Sequence, residues 1–234
     1  MSGERKEFPE ISGPTIKEAL DEFYAEQEKR LAPSTLDRYS GLLAFLMTFL
    51  DRYGEGYLNG PELTMYQREG RSFCQLFGPE KIPLFLPEFL GRFLLHRVLY
   101  AGNLIRGAGA VTKKLGAWLK DRGYISPQEA EEMLTVGKRA SKELPMAEKF
   151  GHKVFEHTSV IPYPEGMERL EELFWVEKVE KGRLFLTAGT RKVTLELPEE
   201  LTELCRPGWL AHFCLIRTPS GWRVVDGGWV DPLL

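Results

Sequence analysis

The period of the apolar residues changes once along this chain, at Pro162-Tyr163-Pro164, and that change does most to limit the fold. Before it, apolar side chains recur at helical spacing. From Thr15 to Arg30, Ile16, Ala19, Leu20, Phe23 and Tyr24 fall on one side of a helix and acids on the other. After it, short segments alternate as strands do. Leu173 to Val179, Arg183 to Thr187, Arg191 to Leu197, Trp209 to Thr218 and Trp222 to Asp226 read as strands, turning at Lys181-Gly182, Ala188-Gly189 and Ser220-Gly221. Helices followed by strands make an α+β, multidomain chain.

Within the helical part, Pro33 interrupts the chain. Ser34 with Asp37 three residues on gives a capping-box-like start to a second helix carrying Leu36, Tyr39, Leu43, Leu46 and Phe49 or Leu50, which ends near Gly54. Gly54 to Pro83 is broken by glycines and prolines, with a short helix at Pro61 to Arg68. Pro87 suits the first turn of a third helix and Gly102 its end. Ser126-Pro127 opens a polar, helix-prone segment through Gln128 to Glu143; Leu144-Pro145 punctuates it before a further helical piece to His157.

Five closely spaced strands in some seventy residues suit a small antiparallel β-barrel, because closure removes the exposed edges. A short helix at Pro198 to Cys205 falls between the third and fourth strands, an order that suits an OB-like barrel and, nearly as well, an SH3-like one. The expected division is a helical domain at 1–125, a helical connector at 126–165 and a barrel at 166–234.

The chain is acidic overall, with net charge −3, yet Leu86 to Gly123 carries Arg92, Arg97, Arg106, Lys113, Lys114, Lys120 and Arg122 against Glu88 and Asp121. Residues 1–125 hold 17 cations and 16 anions, and residues 166–234 hold 9 and 11, so the positive charge is local. Read as a helix, Arg106, Lys113 and Lys120 form one stripe at a spacing of seven. Leu104, Val111 and Trp118 lie two positions away, about 200° round the axis, and Ile105, Ala108, Leu115 and Leu119 widen that apolar side. A row of cations suits a polyanion, duplex DNA above all, although a solvated face produces the same pattern. Gly102, Gly109 and Gly116 form a third stripe. Each interior glycine costs about 1 kcal/mol of helix stability, which points to close approach by another helix or by a phosphate backbone.

The stretch Thr15-Ile16-Lys17-Glu18-Ala19-Leu20-Asp21-Glu22-Phe23, the helix start Pro33-Ser34-Thr35-x-x-x-Tyr39 and the closing Lys113-Lys114-Leu115-Gly116-Ala117-Trp118-Leu119 carry a resemblance. Over residues 12–125 the chain resembles the SAM-like, core-binding N-terminal domain of phage-integrase-type tyrosine recombinases. The resemblance implies a four-helix bundle whose second and fourth helices face duplex DNA. That places Thr35 and Arg38 on the second helix, and Arg106, Lys113 and Lys114 on the fourth, at the DNA. The charge pattern adds Lys120, and Asn103 is a further residue able to reach a base edge. The Gly54 to Pro83 link is longer than in that family. The family's catalytic domain is missing: no histidine is followed by arginine three residues on, and the remaining tail is too short to hold it. Recombinase or topoisomerase activity is therefore not expected.

No other constellation points to an enzyme, a metal or a cofactor. His152-x-x-x-Glu156-His157 turns His157 away from the other two, and Cys205, His212 and Cys214 lack an evident fourth ligand. Gly107-x-Gly109 has neither a third glycine nor a preceding strand. Cys74, Cys205 and Cys214 are odd in number and form no C-x-x-C pair, which suits a reducing compartment, and no apolar run suits a membrane or a secretory signal. Phe174, Trp175, Phe185, Trp209, Phe213, Trp222 and Trp229 either fill the barrel or offer rings to single-stranded nucleic acid, and a barrel this small needs large side chains inside it. The expectation is a cytoplasmic, non-enzymatic, prokaryotic or phage-related DNA-binding protein of the DNA-recombination type. Its barrel would bind a protein partner or another copy of the chain. The alternative is a protein-interaction adaptor that keeps the helical scaffold without DNA binding.

Overall fold

The computed structural model describes residues 13–97, 102–158 and 167–234. Among them, eight α-helices precede a closed barrel of five strands. α1 (Ile16–Glu28) is capped by Thr15, whose hydroxyl accepts from the Glu18 N–H while the Glu18 carboxylate accepts from the Thr15 N–H. α2 (Pro33–Tyr53) starts one residue before the expected Ser34-Asp37 box. Ala32 is its N-cap with no side-chain cap, because Pro33 needs no N–H partner and is preset for the first helical position. In the link, α3 (Gly60–Glu69) is capped by Asn59 and α4 (Phe73–Leu76) by Ser72.

α5 (Ile82–Glu88) contains Pro87 rather than starting at it. The chain then winds as a π-helix over Phe89–Leu94 and as α6 over Leu95–Arg97; the expected run towards Gly102 passes through residues 98–101, outside the described ones. Gly102 opens α7 (Gly102–Asp121) instead of ending a third helix. α8 (Pro127–Thr158) runs unbroken through Pro145. Leu144, Ala147, Phe150 and Val154 are all buried along one of its faces, and that packing outweighs the single donor a proline removes. The change of period at 162–164 lies outside the described residues.

The described residues divide into two compact units, one within Met1–Phe89 and Gly107–Lys138, the other within Leu90–Arg106 and Arg139–Leu234, so both α7 and α8 are shared. In the first, Ile16, Leu20 and Phe23 of α1 and Tyr39, Leu43, Leu46 and Leu50 of α2 are buried. Phe23 stacks on Tyr39 and meets Trp118 at 5.5 Å. The apolar side of α7 is buried as its spacing requires: Val111, Leu115 and Leu119 are each 2% exposed or less.

In the second unit, β1 (Arg169–Glu180), β2 (Arg183–Ala188), β3 (Arg191–Glu196), β4 (Leu210–Thr218) and β5 (Gly221–Asp231) close in the order β1-β2-β3-β5-β4, with α9 (Glu199–Thr202) between β3 and β4. The wholly antiparallel barrel expected from the strand spacing is corrected at one junction, where β3 pairs with β5 in parallel. Five strands in a ring cannot alternate direction all the way round, so one junction must be parallel. Phe174, Val176, Leu184, Leu186, Phe213, Leu215 and Val224 fill the barrel together with Ala147, Phe150 and Val154 of α8. Gly227, at φ +128°, allows the β4–β5 register shift, since a Cβ there would stand 2.4 Å from the His212 carbonyl oxygen. Among the described residues, no helix is long and apolar enough to cross a membrane.

Candidate nucleic-acid interface

Pro33 sets the start of α2, and the first turns of that helix therefore present Thr35 and Arg38. The Arg38 guanidinium donates to the Ser34 carbonyl and to the Thr35 hydroxyl, each at 3.4 Å. Its aliphatic stem lies against α7 at Gly107, where a Cβ would stand 3.5 Å from Arg38 Cδ. Lys114, seven residues beyond Gly107 and so on the same face, places its Nζ 5.9 Å from the centroid of Tyr39, the neighbour of Arg38. Thr35, Arg38 and Lys114 are thus gathered where α2 crosses α7 in the first unit.

Lys113 is half-buried. A Cβ at Gly137 of α8 would stand 2.6 Å from Lys113 Cγ and 2.9 Å from the Gly109 carbonyl oxygen, and a Cβ at Gly116 would stand 2.9 Å from Met133 Cβ. At Gly109 and Gly116 the glycine stripe therefore serves helix packing, so the phosphate-backbone explanation is not needed there. Lys120 is exposed, 3.9 Å from Asp121. Asn103 and Arg106 form a separate pair on the part of α7 that belongs to the second unit, with the Arg106 guanidinium donating to Asn103 Oδ1 at 2.7 Å.

Ion pairing divides the cationic run. Arg122 is held by Glu22 at 2.8 Å and by Glu26, and lies over the Trp118 ring at 5.2 Å. The Trp118 indole N–H, followed by Arg122, keeps the Glu26 carboxyl below the usual carboxylate range. Arg92 lies 3.7 Å from Asp231, and the Arg97 side chain is outside the described set. Among the described residues, no carboxylate comes within 4.0 Å of Arg38, Arg106, Lys113 or Lys114.

Elsewhere, His152 pairs with Glu156 at 3.2 Å on an exposed helix face, and among the described residues no three His, Cys, Asp or Glu side chains gather as metal ligands do. Cys205 lies in the barrel core, whereas Cys214 packs with Ile216 and Val225 in a separate cluster. Two contacts had no signal in the sequence. His96 Nε2 meets Oδ1 of the buried Asp231 at 2.5 Å, and Trp209 donates to Glu143 at 2.8 Å. Each pair joins residues far apart in the chain, in no shared motif. Compared with known proteins, the chain matches no family model, no curated protein and no solved structure.

Proposed function

We propose that this chain is a non-enzymatic duplex DNA-binding protein related to the core-binding domain of tyrosine recombinases, gripping DNA through the cationic face of α7 and the start of α2. The gathering of Thr35, Arg38 and Lys114, with no carboxylate among the described residues within 4.0 Å of either cation, carries the reading. Lys113, Lys120 and Arg106 would add phosphate contacts, and Thr35, Arg38 and Asn103 are the groups to reach base edges. The barrel's strand order, with α9 between β3 and β4, favours the OB-like over the SH3-like alternative.

Salt titration of a labelled random duplex by fluorescence anisotropy tests this. If Arg106, Lys113, Lys114 and Lys120 each neutralise a phosphate, affinity falls about 150-fold between roughly 50 and 200 mM salt. In Lys113→Glu/Lys114→Glu two contacts remain, and the fall shrinks to about 12-fold, starting from much weaker binding. Unchanged affinity in that variant, with its helical content intact, overturns the proposed face. The adaptor reading is favoured by the exposed Leu173 and Trp229 of the barrel surface. It requires a wild-type protein without duplex binding even at low salt.

A further inference from the structure

We infer that the outer face of the β2–β3 hairpin, extended by Trp175 of β1, is a second binding surface whose ligand is single-stranded nucleic acid. The barrel's aromatic residues separate by face. Phe174, Trp209 and Phe213 are at most 2% exposed and fill the interior, whereas Trp175 is 40% exposed and Phe185 is half-buried on the outside. Strand register sets out what surrounds the two outer rings. One row across the sheet is Trp175, Thr187 and Lys192, and the next is Lys178, Phe185 and Thr194. The rings are therefore diagonal neighbours on adjacent strands, close enough for consecutive unpaired bases to stack on them.

Cations accompany the rings. Lys178 Nζ stands 5.4 Å from the Phe185 centroid. Arg191 and Lys192 follow the Gly189-Thr190 turn, and among the described residues no carboxylate lies within 4.0 Å of either. Of the acids of this face, Glu177 is exposed in the β1 bulge between Trp175 and Lys178, whereas Glu180 and Glu196 flank Arg183 in the row farthest from that turn, and Glu180 also pairs with Lys178 at 2.5 Å. Positive charge thus concentrates at the hairpin tip beside Trp175. The same indole borders a cavity of about 270 Å³, lined also by Arg139, Pro207, Gly208, Trp209, Leu233 and Glu143, whose carboxylate accepts from the Trp209 indole; it has room beside the ring for a base. Within the first row, between Trp175 and Lys192, Thr187 Oγ1 is buried without a hydrogen-bond partner. Bases in a duplex have their faces covered by their neighbours, so ring stacking here selects unpaired strands. An acidic peptide would use the cations and leave the rings idle.

The test is anisotropy of labelled oligothymidylate and oligouridylate against the full chain at two salt concentrations. The expected result is binding of one or both, and the two arms tell whether DNA or RNA is preferred. Trp175→Ala weakens binding about five- to 150-fold, the range for losing one stacked base, while Trp175→Phe retains most of it. Arg191→Glu/Lys192→Glu weakens it and reduces the salt slope by about 1.4. Far-UV circular dichroism and the urea midpoint verify that each variant is folded. Lys113→Glu/Lys114→Glu keeps oligothymidylate binding, which makes failure of the duplex reading distinguishable from failure of this one. Absence of binding by the wild type, unchanged affinity in Trp175→Ala, displacement by polyglutamate as effective as by oligothymidylate, or loss in Lys113→Glu/Lys114→Glu each overturns the assignment.

Discussion

Replacing Gly137 by alanine tests what the glycine stripe of α7 is for. Alanine in a helix interior gains about 1 kcal/mol over glycine, so propensity alone would stabilise the protein. The structure opposes that gain. The new Cβ would stand 2.9 Å from the Gly109 carbonyl oxygen and 2.6 Å from Lys113 Cγ. A side-chain tip can swing aside, but a backbone carbonyl within a helix cannot, so α8 must move off α7. Overpacking of that kind costs about 1–3 kcal/mol, which leaves Gly137→Ala destabilised by about 0–2 kcal/mol. Gly107→Ala is the internal reference. It lies inside α7, and its Cβ would meet the Arg38 side chain, at 3.5 Å from Cδ and 3.9 Å from Cβ, both ordinary contacts, so it should stabilise by about 1 kcal/mol. Propensity cancels between the two variants, and their difference of about 1–3 kcal/mol is the overpacking term alone. Urea unfolding followed by far-UV circular dichroism reads it as midpoints that move in opposite directions at unchanged slope. If Gly137→Ala proves as stabilising as Gly107→Ala, the two helices are not in close contact there, and the packing account of the stripe fails.

Two further outcomes follow from buried polar groups. Trp209→Phe removes the 2.8 Å donation to Glu143 from a residue only 2% exposed and should cost about 1–3 kcal/mol; an unchanged urea midpoint refutes the contact. Burial pushes the Cys205 thiol from 9.0 up to about 12 and raises Cys74 as well, with the Asp51 carboxylate adding to the effect there. Because the folded values lie above the unfolded one, the stabilisation from these thiols is complete below about pH 9 and is lost as pH rises towards 12. All three cysteines are buried thiols, so a thiol reagent at pH 8 should titrate them only after denaturation; rapid reaction of any one in the native protein contradicts this.

The elements that could be read from the sequence are those whose apolar face repeats without interruption. α1, the buried side of α7 and the alternating β2 and β3 declare themselves this way, because burial of one face leaves a period in the residues themselves. β5, in contrast, runs beyond the expected Asp226 to Asp231, since register shifts against β4 break its alternation. Pro145 misleads for the opposite reason. A proline signals a break locally, and only the barrel packed on Ala147, Phe150 and Val154 shows why α8 continues. The start of α2 differs because two local rules compete at Pro33-Ser34, and the proline prevails. In the candidate site, α7 could be found from spacing alone. That Arg38 lies against Gly107, and that Arg122 is taken up by Glu22 and Glu26, depends on helices whose pairing leaves no mark in the local pattern.

Partner chemistry also separates the arginines in a way that counting them cannot. Arg122 is oriented by two carboxylates, which cancel its charge and fasten α1 to the end of α7. Arg38 and Arg106 are each oriented by a neutral group three residues earlier on the same helix, the Thr35 hydroxyl and the Asn103 amide oxygen. A neutral acceptor restricts the guanidinium without compensating its charge. Holding the group in place before binding also lowers the entropy lost when it meets an anion. A solvated surface arginine gains nothing from such an arrangement, whereas one that must meet a phosphate or the edge of a guanine does. On the proposed reading, the neutral pair at Arg38 in the first unit and, separately, that at Arg106 in the second would each leave a positioned, uncompensated charge for a phosphate.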